Sequence, residues 1–219
     1  MAQGYIKASE LPQVIPVFPL PGTIVLARGQ LPLNIFEPRY LNMVDDAMAG
    51  DRIIGMIQPL ISGEPQPGLT RVGCAGRITS FAETSDGRYL ITLTGVSRFQ
   101  VLSELQVKTP YRQVRADFLP YEADMTPPDP MPDFDRDGFL MALRRYLEHR
   151  GLQVDWSVAD VAPPEALINS LAMALPFDAP EKQALLEAYS LEARSAALTA
   201  LLHIDAIDNS DTEDGPGIQ

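Results

Sequence analysis

A single cysteine, Cys74, cannot form an internal disulfide, and its presence fits a reducing compartment. Two histidines, His149 and His203, leave little for a metal centre, and no His-Glu-x-x-His pattern exists. The only lysines are Lys7, Lys108 and Lys182, and none follows a glycine, so a phosphate-cradling P-loop is excluded. The sole Gly-x-Gly is Gly215-Pro216-Gly217, which excludes a dinucleotide fingerprint. Serine chemistry lacks its elbow, since Gly95-Val96-Ser97-Arg98-Phe99 ends on the wrong residue. Asp45 and Asp46 are neighbours on a predicted helix, so their carboxylates diverge. No apolar run reaches the ~18–20 residues that cross a bilayer. The opening MAQGYIKASELPQ has no charged lead followed by an apolar core, which predicts a cytoplasmic chain without membrane attachment.

What is present is an ordinary globular composition, 46% hydrophobic and 21% charged in 219 residues. The net charge of −12 is unevenly spread. Residues 1–118 hold 11 basic and 10 acidic side chains, whereas residues 119–219 hold 6 and 19. Acidic surfaces repel phosphate backbones, so nucleic acid is a poor partner.

Three short apolar segments, VIPVFP, TIVLA and LPLNIF, read as strands separated by proline–glycine turns. Pro16, Pro19 and Pro32 cannot donate to a ladder, which puts these strands at edges, ends or bulges of a barrel-like sheet. Pro38 can open a helix, Gly50 can close it in the left-handed conformation, and Tyr40, Leu41, Val44, Ala47 and Met48 share one face. A strand is expected over 52–58 and a loop over 59–70. Two long strands follow around an Asp86-Gly87 hairpin, with further strands over 97–106 and 111–119. Prolines crowd 120–134, marking a linker. The period then turns helical: Phe139, Leu140, Leu143, Tyr146 and Leu147 share a face, and Gly151 supplies a stop. Ser157 with Asp160 suggests a capping box, and Pro164 and Pro180 suggest further helix starts. The expected organisation is a β-rich subdomain at 1–119, a linker at 120–134, a helical subdomain at 135–207 and an acidic flexible tail at 208–219.

The series Pro16-Val17-Phe18-Pro19-Leu20-Pro21-Gly22, then Leu31-Pro32-Leu33-Asn34-Ile35-Phe36-Glu37-Pro38-Arg39-Tyr40, resembles the opening signature of the Lon protease substrate-binding (N-terminal) domain family. Asp86-Gly87-Arg88-Tyr89 and Leu93-Thr94-Gly95-Val96-Ser97-Arg98-Phe99 are similar to its hairpin and following strand. Pro110-Tyr111-Arg112 and the helical stretch from Pro163 to Leu202 extend the likeness across roughly 13–205. The resemblance implies an α+β fold, a PUA-like pseudo β-barrel followed by an α-helical bundle, in a standalone, non-catalytic member. It also implies recognition of unfolded or apolar polypeptide segments, as adaptor, holdase or regulator in proteostasis, with a protease or chaperone as partner and no cofactor. Two alternatives are an RNA-binding PUA-like module and an enzyme with an unrecognised small-molecule site.

Among the signature residues, Phe36 and Tyr40 are expected to pack beneath the helix, with Glu37 and Arg39 fixing its start through hydrogen bonds. Their expected role is structural. The client site is sought in the 59–70 loop, where Leu60, Ile61 and Leu69 stand among turn residues as candidate peptide contacts. Catalytic, cofactor and metal residues are expected to be none.

Overall fold

The structure is a computed structural model that describes residues 5–60, 67–127 and 130–207. The chain divides into two compact units: Met1–Pro128 with Met173–Glu187, and Asp129–Ala172 with Ala188–Gln219.

The first unit is built on six strands: β1 (Val14–Pro19), β2 (Gln30–Ile35), β3 (Ile53–Ile57), β4 (Val72–Glu83), β5 (Tyr89–Glu104) and β6 (Gln113–Asp117). Their order is β2-β5-β4-β3-β1-β6, and β5 also pairs with β6, which bends the sheet into an unevenly closed ring. The prolines explain the irregularity. Val14–Pro16 lies antiparallel to β6, and from Val17 the strand runs parallel to β3, so β1 changes neighbours at Pro16. Pro32 sits in β2, which pairs with β5 alone among the described residues.

One continuous 16-residue β5 replaces the two strands that the sequence suggests. Its first half lies between β2 and β4 and its second half between β4 and β6, with register shifts at Ala75/Gly76, Ile78/Ser80 and Val101/Ser103. The Asp86-Gly87 turn is present: Gly87 has φ +79°, and Asp86 binds Thr84 and Arg88.

Inside the ring, Ile15, Val17, Phe99 and Val114 are fully buried, joined by Ile53, Ile57 and Phe118. Phe99 needs glycines around it. A Cβ on Gly73 would stand 2.6 Å from its ring, and one on Gly55 2.9 Å. Segment TIVLA is not a strand. Ile24, Val25, Leu26 and Ala27 are buried, but Arg28 has φ +65° and Gly29 N–H donates to Leu26 O, a tight turn that ends any extension.

Helix α1 (Pro38–Ala49) buries Tyr40, Met43, Val44 and Ala47. Its end differs from expectation: Gly50 has φ −117°, and the positive φ falls on Arg52 instead, whose N–H donates to Ala47 O.

The start of the expected linker is a 3-10 turn over Leu119–Met125, held against the barrel. Asp124 accepts from the Arg98 guanidinium at 2.8 and 2.9 Å and from the Arg98 backbone N–H, and the guanidinium lies 4.5 Å from the Tyr121 ring. Arg98 also donates to Leu186 O on α5 (Ala179–Glu187). Thus Met173–Glu187 groups with the barrel, whereas composition alone places it among the helices of 135–207.

The second unit contains α2 (Arg136–Arg150), α3 (Trp156–Ala159), most of α4 (Pro164–Ala174), and α6 (Leu191–Ile207). Asp135 caps α2 by accepting from Gly138 N–H, and Gly151 ends it at φ +63°. Phe139, Leu143, Tyr146 and Leu147 are buried, as are Leu198 and Leu202 of α6. Arg194 donates to Asn169 at 2.9 Å, and Arg136 reaches the carbonyls of Ala159, Asp160 and Ala162. The capping box expected at Ser157 and Asp160 is replaced by Asp155, which accepts from Ser157 N–H one residue before α3. No helix among the described residues is long and apolar enough to cross a membrane.

Candidate functional site

Strand β3 ends at Ile57, and the next side chain, Gln58, is 1% exposed. A buried amide must be bonded on both ends. Its Oε1 accepts from Gly22 N–H at 2.8 Å, and its Nε2 donates to Ala179 O at 2.9 Å and to Gln183 Oε1 at 3.0 Å. Gln183 in turn donates to Val72 O and Glu187 Oε1. These bonds tie the first turn of α5 to the end of β3 and the start of β4.

Above this polar floor lies an apolar cavity of about 230 Å³, walled by Pro59, Leu60, Thr70, Ala179 and Pro180. Leu60 is half exposed, and its N–H donates to Gly68 O. Pro59 bridges Leu69, and Thr70 N–H returns to Gln58 O, so the loop is pinned closed at its base. Of the sequence-selected residues that the structure describes, Leu60 lines the cavity and Leu69 does not. Leu69 packs partly buried against the barrel core, and Ile61 lies outside the described residues. Sequence reasoning missed Gln58, Gln183 and Pro180. Gln58 carries no periodic signal, and Pro180 reads only as a helix start.

The signature residues divide. Tyr40 is buried, 4.3 Å from the Phe18 ring, and burial raises its hydroxyl pKa. Arg39 stands 4.5 Å over the Tyr40 ring and 2.8 Å from Glu37, an exposed pair at the mouth of α1. Phe36 does not pack beneath the helix: it is 64% exposed. The reason is register. Ile35 takes the buried position opposite Tyr89, and the next side chain alternates outward. Tyr89 lies 4.9 Å from Phe81, itself partly exposed, and the Asp45 carboxylate bonded to Tyr89 raises its pKa.

Groups with latent reactivity are sealed or committed. Cys74 is fully buried. Tyr111 donates to Asp46 at 2.5 Å, and burial together with that bond raises its pKa to about 12. Lys182 is 2% exposed, donates to Met173 O at 2.7 Å, and is lowered by burial to about 8. Among the described residues no three His, Cys, Asp or Glu side chains converge as metal ligands.

An irregular, unevenly closed ring of strands with accompanying helices defines a domain of mixed α+β type. The chain belongs to the ATP-dependent protease La (LON) substrate-binding domain family, whose model matches residues 14–203. Lon protease 2 of Myxococcus xanthus is 27% identical over 208 residues, covering 91% of this chain and 24% of that protein. Lon protease of Anaeromyxobacter dehalogenans is 24% identical, covering 90% and 24%. The chain thus spans about a quarter of the length of these curated relatives. Among solved structures, the Lon N-terminal domain protein from Xanthomonas campestris superposes with a TM-score of 0.60 at 23% identity, covering 85% of this chain and 97% of that one. The N-terminal domain of Mycobacterium avium complex Lon protease gives 0.60 at 18%, covering 90% and 99%. These two likenesses show the fold.

Proposed function

We propose that this chain binds polypeptide segments by taking one exposed apolar side chain into the cavity beside Leu60, without making or breaking covalent bonds. The observation that carries the reading is the size and lining of that cavity within a substrate-binding family. A space of about 230 Å³ is smaller than the ~300–1,000 Å³ typical of ligand sites and suits a single leucine, methionine or phenylalanine side chain. Pro59 and Pro180 make two of its walls stiff, which limits the ordering entropy lost on binding. The absence of nucleotide, metal and serine-elbow motifs supports recognition rather than turnover. An adaptor, holdase or regulator role beside a protease or chaperone is the biological form this reading takes.

The test is anisotropy of labelled peptides against the full chain. Peptides with a central Leu or Phe should bind, Ser-substituted copies should not, and Leu60→Asp should raise Kd by more than about tenfold. No binding of any apolar peptide at high micromolar concentration, or an unchanged Kd for Leu60→Asp, would falsify the proposal.

A further inference from the structure

The sequence holds three Asp-Gly pairs, at 86–87, 137–138 and 214–215. This dipeptide is chemically labile, because glycine has no Cβ to shield its backbone nitrogen from the preceding carboxyl. Asp214-Gly215 lies outside the described residues. Asp137-Gly138 lies in the first turn of α2, where the Gly138 N–H donates to Asp135 Oδ1 at 3.0 Å. Asp86-Gly87 stands at the exposed tip of the β4–β5 hairpin, and a Cβ on Gly87 would meet nothing within 4 Å.

Both groups that would react at the tip are committed elsewhere. The Gly87 N–H donates to Thr84 O at 2.9 Å. One Asp86 oxygen accepts from the Thr84 hydroxyl. The other accepts from the Arg88 guanidinium, whose Nε stands at 2.8 Å and whose Nη2 adds a second bond. These bonds, those of Arg88 first, hold the pKa of the Asp86 carboxyl below the usual carboxylate range. Ring closure needs the opposite arrangement: a neutral carboxyl, free to swing over the Gly87 nitrogen.

We propose that Asp86-Gly87 is a site of spontaneous aspartate isomerisation, and that Thr84 and Arg88 restrain its rate through their bonds to the carboxylate. In the first step the Gly87 nitrogen attacks Asp86 Cγ. A C–N bond forms, a C–O bond breaks, and the carboxyl oxygen leaves as water with the amide proton and the acid proton. In the second step water adds at the Asp86 main-chain carbonyl carbon and releases its bond to the Gly87 nitrogen. The product has the same mass, but its backbone now runs through Cβ and Cγ. The extra backbone atom falls between Thr84 and Arg88, where the Thr84 N–H closes the turn on Arg88 O at 2.9 Å. It also falls three residues before Ile91 and next to Arg88-Tyr89, where Tyr89 pairs with Ile35 and Glu83. Isomerisation therefore loosens the hairpin at the point where Tyr89 is bonded to Asp45 of α1. The proposal does not depend on the cavity beside Leu60, which shares no residue with the tip.

The full chain is incubated warm at about pH 6, native and in urea, and isoaspartate at 86 is followed by mass spectrometry with fragmentation that separates the isomers. The native rate should lie at least about threefold below the rate in urea. Arg88→Gln and Thr84→Val should each raise the native rate about threefold, the worth of one exposed polar contact, and leave the rate in urea unchanged. Arg88→Lys, which keeps the charge without the planar fork, should fall between. Asp86→Glu, whose larger ring closes far more slowly, should give no product. Asp137-Gly138 is the internal reference and should not respond to any of these changes. Equal native and unfolded rates, or a native rate unmoved by Arg88→Gln, overturn the proposal. So does a rise at 86 matched by a rise at 137 and a lower urea midpoint, which assigns the change to unfolding.

Discussion

Replacing Lys182 with methionine should stabilise the first unit at neutral pH. The side chain is 2% exposed, and burial lowers its pKa from 10.5 to about 8. That drop of roughly 2.5 corresponds to ~3 kcal/mol by which the folded state disfavours the ammonium. The sign follows from which form is penalised. Below about pH 8 the amine is charged in both states and the folded chain bears the whole penalty. Between about 8 and 10.5 the folded amine has lost its proton while the unfolded one retains it, so stability climbs; above 10.5 the penalty is gone. Methionine fills the space of the aliphatic stem but ends one atom short, so it forfeits the ammonium's place 5.9 Å from the Phe177 ring and its bond to Met173 O, together worth ~1–2 kcal/mol. The net gain is about 1–2 kcal/mol at pH 7, vanishing and then reversing towards pH 10.5. Native-state hydrogen exchange of β1 and β3 amides, with urea titrations at pH 7 and 9.5, reads this unit. A Lys182→Met chain less stable at pH 7, with wild-type stability flat from pH 7.5 to 10, would refute the reasoning.

Asp124→Ala leaves the Arg98 guanidinium buried without its carboxylate and should cost about 3–5 kcal/mol; Arg98→Met with Asp124→Leu should recover much of that in a double-mutant cycle by urea denaturation. Gly95→Ala puts a Cβ 2.0 Å from Leu26 O. It should therefore destabilise by roughly 1–3 kcal/mol or more, seen as a lower urea midpoint. Tyr111→Phe should cost about 0.5–1.5 kcal/mol through the lost bond to Asp46. In the wild type, ultraviolet titration should find one tyrosine ionising only near pH 12.

The barrel was legible where local chemistry is strict. Asp86-Gly87 announces a hairpin because few other pairs accept its φ, and Pro16 and Pro32 announce irregular strands because neither has an N–H to give. TIVLA misled because burial and β-branching describe its side chains but not the turn at Arg28 that ends it. Phe36 misled because helical proximity suggested packing, while strand alternation from Ile35 decided its direction. The cavity was half legible. Leu60 stood out as an apolar residue among turn formers, but Gln58 and Gln183 become a pair only when residues about 125 apart meet, which no local pattern encodes. The assignment of α5 to the barrel is hidden for the same reason: its link to Arg98 runs through a backbone carbonyl, and any residue has one.

That late-arriving helix governs how the molecule is born. Once residue 128 has emerged from the ribosome, all six strands are free to pair, but Gln58 still lacks Ala179 and Gln183, and Arg98 lacks Leu186. At about 5–20 residues per second the 59 residues from 128 to 187 occupy roughly 3–12 s. For those seconds the nascent barrel has two buried-to-be polar side chains still open to solvent or to a chaperone, and its final locking must await translation of a segment that lies beyond the intervening unit.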